Sequence, residues 1–320
     1  MSRCDGYAEI RDYALIGDGR TVALVALDGA IDWLCFPNLD SHSVFGALLD
    51  KERGGAFVVQ PSVPFRSSRR YIPLTNVLET TFTTDAGVVT VTDAMLLPGD
   101  KLAPMRELAR QICGVSGRVP MRWSFQPRFH FGFRPERCRM RGTVPVAESG
   151  ADAVALCHWD AGVPTLSDGR VESTFEVAEG GRSLLVVVGA YAEPLVFPPR
   201  QDVALRLAQT IEFWTGWARA RTYDGPWRDA VLRSALVLKS LIFSPSGASA
   251  AAATTSLPEE IGGVRNWDYR YCWIRDAMFL IDALLRLGCR DEAHALFWWF
   301  LQATALTEPA LQVLYRLDGG

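Results

Sequence analysis

The segment NWDYRYCWIRDA, residues 266–277, concentrates aromatic and charged side chains just before a long apolar stretch. A guanidinium offers a planar fork of donors and a carboxylate offers acceptors, so Arg275 and Asp276 together could hold two neighbouring hydroxyls of one sugar ring. The flat face of Trp273 or Tyr269 could lie against the apolar C–H face of the same ring. The pattern therefore indicates a binding site for a single hexose.

A purely structural role is the alternative for this segment. Trp267, Tyr271 and Trp273 would then be core aromatics at a domain junction, and Arg275 and Asp276 would form a surface pair. Two features favour binding over this alternative. Charges placed between large rings are costly to bury unless each is paired or faces a ligand, and segments that lead into a helix commonly carry binding groups.

The stretch DGAIDWLCFPNLDSHSVFGALLD near the N-terminus is a weaker candidate. Asp32, Trp33 and Asp40 would line a site there, but Trp33, Phe36 and Phe45 fit a sandwich core better. Three histidines lie far apart without metal-ligand spacing, and a structural role is expected for each of His42, His130 and His158. The sequence therefore predicts neither a metal site nor a cofactor.

The bulk composition excludes several classes of protein. Of the 320 residues, 49% are hydrophobic and 22% are charged, and the net charge is −3 with basic residues scattered, which argues against a nucleic-acid partner. No apolar run approaches the roughly 18 residues that cross a membrane, and the N-terminus lacks the apolar core of a secretory signal. Seven dispersed cysteines without a CxxC motif fit buried free thiols in a reducing cytoplasm.

The first part of the chain has the pattern of short strands. TVALVALDGAIDWLCF is two apolar runs around Asp28-Gly29, which predicts a hairpin. NVLETTFTTDAGVVTVTDAMLL and VESTFEVAEGGRSLLVVVGAYAE repeat the pattern around Gly87 and Gly180-Gly181. Many short strands at this spacing predict an antiparallel β-sandwich.

Helical periodicity follows the prolines of PLVFPPRQD. Apolar residues recur at three- and four-residue steps in DVALRLAQTIEFWTGWARA and DGPWRDAVLRSALVLKSLIF, and further helices are expected over 273–287 and 291–306. We therefore expect a sandwich domain over 1–196, a linker and linker helix over 197–225, and paired helices over 226–320.

Long stretches of the chain resemble one known family. DYALIGDGRTVALVALDGAIDWLCFPNLDSHSVF, SRRYIPLTNVLETTFTTDAGVVTVTDAM and TTSLPEEIGGVRNWDYRYCWIRDAMFLIDALLRLG are similar to the bacterial glucoamylase/trehalase-type glycoside hydrolases of family 15. The resemblance implies an N-terminal antiparallel β super-sandwich followed by the first helices of an (α/α)6 barrel. It also implies hydrolysis of an α-glucosidic bond from the non-reducing end, with inversion and without an organic cofactor.

Residue roles follow from the same resemblance. It implies that Arg275 and Asp276 grip the hydroxyls of the terminal glucose and that Tyr269 and Trp273 line the same subsite. Trp267 and Arg270 belong to the motif without an individual role. Trehalose, malto-oligosaccharides and isomalto-oligosaccharides all remain open as substrates.

One departure from the family pattern concerns catalysis. An inverting hydrolase needs two carboxylates, and the resemblance places both as glutamates in barrel helices beyond Gly320. We therefore expect no catalytic residue in this chain, a truncated barrel, and no activity from these 320 residues alone. The alternative is a non-catalytic carbohydrate-binding or scaffold fragment.

An incomplete barrel also has a consequence for packing. Several apolar side chains are expected to lack partners, which would favour self-association; they are Leu280, Leu284, Phe297, Trp298 and Phe300.

Overall fold

The computed structural model describes residues 3–99, 106–134, 136–256, 260 and 262–320. The strands within these ranges are β1 Tyr13–Gly17, β2 Val22–Ala26, β3 Ala30–Cys35, β4 Ser43–Phe45, β5 Ala56–Pro61, β6 Arg66–Tyr71, β7 Leu78–Thr84, β8 Gly87–Leu96, β9 Glu107–Gln126, β10 Arg137–Arg141, β11 Val144–Ser149, β12 Asp152–Trp159, β13 Thr165–Ser167, β14 Arg170–Ala178, β15 Arg182–Tyr191, β16 Cys272–Trp273 and β17 Leu314–Tyr315. The helices are α1 Arg200–Arg219, α2 Arg228–Leu241, α3 Ile274–Arg286 and α4 Arg290–Ala305.

Strands β1 to β15 form two antiparallel layers that share β9. The N-terminal part of β9, up to Gly117, pairs with β8 and β15, and the rest pairs with β5 and β14. Gly117 lies where the strand changes layer, with a φ of +69°. A Cβ there would stand 2.2 Å from the carbonyl oxygen of Ala86, so glycine is required. The predicted antiparallel sandwich followed by helices is confirmed.

The sandwich core fills the space between the layers. The hairpin predicted at Asp28-Gly29 joins β2 to β3, and Gly29 has the positive φ of +87° that such a turn requires. The rings of Phe57 and Phe125 meet edge to face in the core at 5.7 Å. Trp33, Phe36 and Phe45 are buried as predicted. Each such side chain contributes about 1.5–3 kcal/mol on burial.

Helix α1 covers the outer face of the layer that contains β8, β12 and β15. Its buried residues Val203, Leu207 and Trp214 belong to the same apolar cluster as strand residues of that layer. Arg206 of α1 donates twice to the carboxylate of Glu107 on β9, at 2.7 Å each. Burial raises the pKa of Glu107 and outweighs the opposing effect of Arg206.

Helices α2, α3 and α4 share a second apolar cluster with residues 248–250. Leu280 and Leu284 are buried in this cluster, and Phe300 is partly buried against it. The expectation that these three lack partners is therefore wrong, because the α3–α4 pair and the segment before α3 already cover them. Phe297 and Trp298 are 46% and 59% exposed, as expected.

The last sandwich strand ends at Tyr191 and α1 begins at Arg200; the division at 196 and 225 stays a prediction. Within the described part of the chain, every helix is too short or too polar to traverse a lipid bilayer.

Candidate substrate-binding site

The segment 268–273 is held on two sides by backbone hydrogen bonds. On one side, β16 pairs with β17, where Cys272 lies opposite Tyr315. On the other side, the amide of Ala252 donates to the carbonyl of Tyr269 at 2.7 Å. A two-residue strand would not be stable alone, so these neighbours fix the backbone from which α3 starts.

Arg270 connects this segment to the sandwich. Its side chain is buried, and it donates to Asp268 from Nε at 3.0 Å and from Nη2 at 2.7 Å. Its Nη1 donates to the carbonyls of Leu39 and Ser41, in the loop between β3 and β4. Burial alone would lower the pKa of Arg270, but the hydrogen bonds to Asp268 and the negative charge of Asp268 outweigh it, so the pKa is raised. Arg270 thus hydrogen-bonds the segment before α3 to the sandwich.

Trp33 adds a second link at the same place. Its indole Nε1 donates to the carbonyl oxygen of Ala253 at 3.0 Å. The guanidinium of Arg270 lies 6.0 Å from the centre of the Trp33 ring and 5.6 Å from that of Phe131. Aromatic side chains of the sandwich therefore contact the segment that precedes α3.

Tyr269 and Trp273 form a stacked pair. Their ring centres are 5.4 Å apart with an angle of 25° between the planes, and the indole Nε1 of Trp273 donates to the carbonyl of Asp268 at 3.2 Å. Both side chains are half-buried. The pair is therefore a preformed aromatic surface that stays partly accessible, as contact with a sugar face requires.

Arg275 and Asp276 form an exposed ion pair in the first turn of α3. Arg275 Nη2 lies 3.1 Å from Asp276 Oδ2, and the side chains are 69% and 39% exposed. A pair this exposed contributes little to stability, about 0–1 kcal/mol. A carboxylate in the first turn of a helix interacts favourably with the helix dipole, and its oxygens can accept hydrogen bonds.

The structure therefore groups the four predicted residues as two pairs. Asp276 lines a cavity of about 320 Å³ together with Ser249, Leu280 and other residues of α2, α3 and the preceding segment. Among the lining residues that the structure describes, Tyr269, Trp273 and Arg275 do not contribute to this cavity. The four side chains surround the start of α3 without forming one closed pocket.

A second cavity, of about 610 Å³, lies between the sandwich and the loop that contains Arg270. Asp40 was a weak site candidate from the sequence, but the cavity itself was not predictable because its residues come from separate elements. They include Asp40, His42, His130, Arg134, Asp152, Arg270, Tyr271 and Arg316. The rings of His42 and His130 lie 3.9 Å apart, and His130 Nε2 lies 3.1 Å from Asp152 Oδ2.

Burial shifts the pKa values of two side chains in this second cavity, His42 and Asp40. Burial lowers the pKa of His42, and the neighbouring His130 lowers it further. Burial also raises the pKa of Asp40. An acid with a raised pKa and a second carboxylate, Asp152, are the group types that acid–base chemistry uses. Among the described residues, no group of three or more His, Cys, Asp or Glu side chains is placed to hold a metal ion.

Comparison with known proteins agrees with this architecture. Residues 5–171 match the family described as "Trehalase-like, N-terminal", and residues 225–320 match "Glycosyl hydrolases family 15". The class defined by fold and sequence is therefore that of the glycoside hydrolases. The chain belongs to glycosyl hydrolases family 15 and carries a trehalase-like N-terminal region, so the resemblance noted in the sequence is confirmed.

Relatives with the name trehalase cover almost the whole chain. The trehalase of Mycobacterium tuberculosis is 34% identical over 98% of this chain and 49% of its own length. The trehalase of Thermoplasma volcanium is 31% identical over 98% and 50%, and trehalase 1 of Sulfolobus acidocaldarius is 35% identical over 97% and 52%. The chain thus spans about half the length of the curated relatives it matches.

Proposed function

We propose that this chain carries the glucose-binding part of an inverting, exo-acting α-glucoside hydrolase, and that its substrate is α,α-trehalose. The observation that carries the proposal is the exposed Arg275–Asp276 pair at the start of α3, beside the stacked rings of Tyr269 and Trp273. A glucose unit would exchange hydrogen bonds with the ion pair while one of its C–H faces contacts an aromatic ring.

The rigidity of the support favours this role. A sugar site loses affinity when its groups must be ordered on binding. Here β16, β17 and the buried Arg270 hold the backbone around Trp273 before any ligand arrives. The ion pair can then re-form its hydrogen bonds with hydroxyls at little conformational cost.

We further propose that the general acid and the general base lie outside these 320 residues. Inversion needs two carboxylates about 6.5–9.5 Å apart with a water between one of them and the bond. In the motif, Asp268 is engaged by Arg270. Asp276 is the one carboxylate among the described residues that line the 320 Å³ cavity. The chain's coverage of about half of each relative leaves room for the missing pair.

The choice of trehalose rests on the relatives, each of which is named a trehalase. Malto- and isomalto-oligosaccharides are the competing substrates. We also propose a cytoplasmic location, supported by seven cysteines that are all free thiols, and self-association through exposed apolar side chains such as Trp298.

The test uses trehalose, maltose and isomaltose, with product anomers followed by ¹H NMR. A polypeptide that spans the length of the relatives should hydrolyse trehalose and release β-glucose from the attacked unit. Asp276→Asn should lower kcat/KM about 100-fold or more, because two hydrogen bonds to a charged group are weakened. Asp282→Asn, on the exposed side of the same helix, is the matched control and should leave kcat/KM unchanged. Turnover by the 320 residues alone would contradict the placement of the acid and base.

Asp40 and Asp152 are a second candidate for the reacting carboxylates, because both line the 610 Å³ cavity and burial raises the pKa of Asp40. Under this alternative, Asp40→Asn and Asp152→Asn would each abolish turnover, and the 320 residues alone would be active. Under the main proposal, the two substitutions leave most of kcat in place.

A further inference from the structure

A third cavity, of about 890 Å³, lies on the sandwich layer that contains β3, β5 and β14. Its walls come from β3, β5, β9, β14 and the N-terminal segment around Arg3. Adjacent side chains of a strand point to opposite faces. On β3, Trp33 donates a hydrogen bond to the carbonyl of Ala253, in the segment that precedes α3. Asp32, the residue before Trp33, lines this cavity. The cleft is therefore on the face of the layer that points away from α3.

Asp32 is the unusual residue of this cleft. Its side chain is 1% exposed. Its Oδ2 accepts a hydrogen bond from the hydroxyl of Tyr13 at 2.7 Å and lies 2.9 Å from Arg3 Nη1 in an ion pair. Its Oδ1 is buried and has no hydrogen-bond partner among the residues that the structure describes. A buried carboxylate oxygen without a donor is costly, so the geometry calls for a donor from the cavity.

The charges around Asp32 restrict what that donor can be. Four cationic and three acidic side chains line the cleft, and they are Arg3, Lys51, Arg122, Arg170, Asp28, Asp32 and Glu172. Arg3 is paired with Asp28 at 2.7 Å and Arg170 with Glu172 at 3.4 Å. A free anion would be repelled by the unpartnered carboxylate oxygen of Asp32, and a free cation would be repelled by Arg3 and Lys51. A neutral ligand with hydroxyl groups avoids both penalties.

The rest of the lining suits a neutral polyhydroxylated molecule. Neutral donors and acceptors surround the charged groups, and they are Gln60, Ser124, Gln126, Thr165, Ser173 and Thr174. Phe65, half-buried at the wall, offers an apolar surface for C–H groups. The volume lies within the usual range of about 300–1,000 Å³ for small-molecule sites.

We propose that this cleft is a second carbohydrate site that binds a neutral oligosaccharide. One sugar hydroxyl donates to Asp32 Oδ1, and other hydroxyls exchange hydrogen bonds with the amide and hydroxyl groups of β9 and β14. The site goes beyond the proposed hydrolysis: it binds sugar on the sandwich and takes no part in bond cleavage.

Calorimetric titration of the chain with maltotriose tests the proposal. Ser124→Trp fills the cleft and Asp32→Asn weakens the acceptor, and each should lower the affinity at least tenfold. Arg118→Trp, on the same strand but outside the cleft, is the matched control and should leave the affinity unchanged. Near-ultraviolet circular dichroism checks that each variant is folded, and Ser124→Trp keeps the test valid if Asp32→Asn unfolds.

Asp276→Ala separates this site from the one at α3. The affinity for maltotriose in the cleft should persist in Asp276→Ala, so the two proposals can fail independently. The cleft proposal is overturned if the unaltered chain binds no maltotriose at millimolar concentration, if Ser124→Trp binds it as well as Arg118→Trp does, or if Asp276→Ala removes all binding. It is also overturned if sodium sulfate binds the cleft in preference to the sugar.

Discussion

Replacement of Arg270 is the perturbation that most directly loosens the segment before α3 from the sandwich. Arg270→Met keeps much of the side-chain volume but removes the guanidinium. It thereby removes the two side-chain donors of Asp268 at 3.0 and 2.7 Å, while the backbone amide of residue 270 still donates to Asp268. The carbonyls of Leu39 and Ser41 also lose their donor.

The expected cost follows from burial. Removing one partner of a buried ion pair costs about 3–5 kcal/mol. The Asp268 side chain is 25% exposed, so water recovers part of its solvation, and we expect a loss of about 2–4 kcal/mol in the free energy of unfolding. Arg275→Met, at an exposed pair of the same segment, should change it by less than about 1 kcal/mol.

Urea denaturation followed by tryptophan fluorescence measures both variants. Near-ultraviolet circular dichroism should show a second effect of Arg270→Met, because the stacked rings of Tyr269 and Trp273 lose their fixed backbone. If Arg270→Met costs no more than Arg275→Met, Arg270 does not anchor the segment, and the argument for a preformed site is refuted.

Three further outcomes are expected. Asp93→Asn should cost about 3–5 kcal/mol in urea denaturation, because it leaves Arg110 uncompensated in the sandwich core; a loss below 1 kcal/mol would contradict this. Iodoacetamide at pH 8 should alkylate the exposed Cys4 and spare Cys157, because burial raises the pKa of Cys157 to about 12. Peptide mass spectrometry measures the labelling, and equal labelling of the two cysteines would count against this. Because burial lowers the pKa of His42, the unfolded chain binds more protons at this residue than the folded chain does, so stability falls as pH drops through about 6.5. Unfolding curves at pH 5–8 should show a smaller fall in stability for His42→Gln, and an unchanged dependence on pH would refute the assignment.

Local sequence signals predicted most of the elements. The hairpin at Asp28-Gly29 follows from turn chemistry, and the boundaries of α3 and α4 lie within one residue of the apolar periodicity. The layer change in β9 was not predictable, because it depends on pairing with strands that are distant in the sequence. Alternation along a strand does not reveal which partner each half will find.

Long-range contacts limited the prediction of the site in the same way. Arg270 had no assigned role, since its acceptors at Leu39 and Ser41 lie about 230 positions earlier. His42, His130 and Asp152 come from three separate elements, and nothing in their spacing brings them together. The predicted contacts of Tyr269, Trp273, Arg275 and Asp276 with sugar remain a proposal, although the structure pairs these residues.

The central claim is that the start of α3 holds a glucose unit. Its most direct test is titration of the ¹⁵N-labelled protein with the iminosugar 1-deoxynojirimycin, observing tryptophan indole resonances assigned by Trp273→Phe and Trp33→Phe. The account predicts that the Trp273 indole signal shifts, that the Trp33 signal stays in place, and that Asp276→Ala removes the shift. A Trp273 signal that does not move while resonances of His42 and His130 shift would place the sugar in the other cavity and contradict the account.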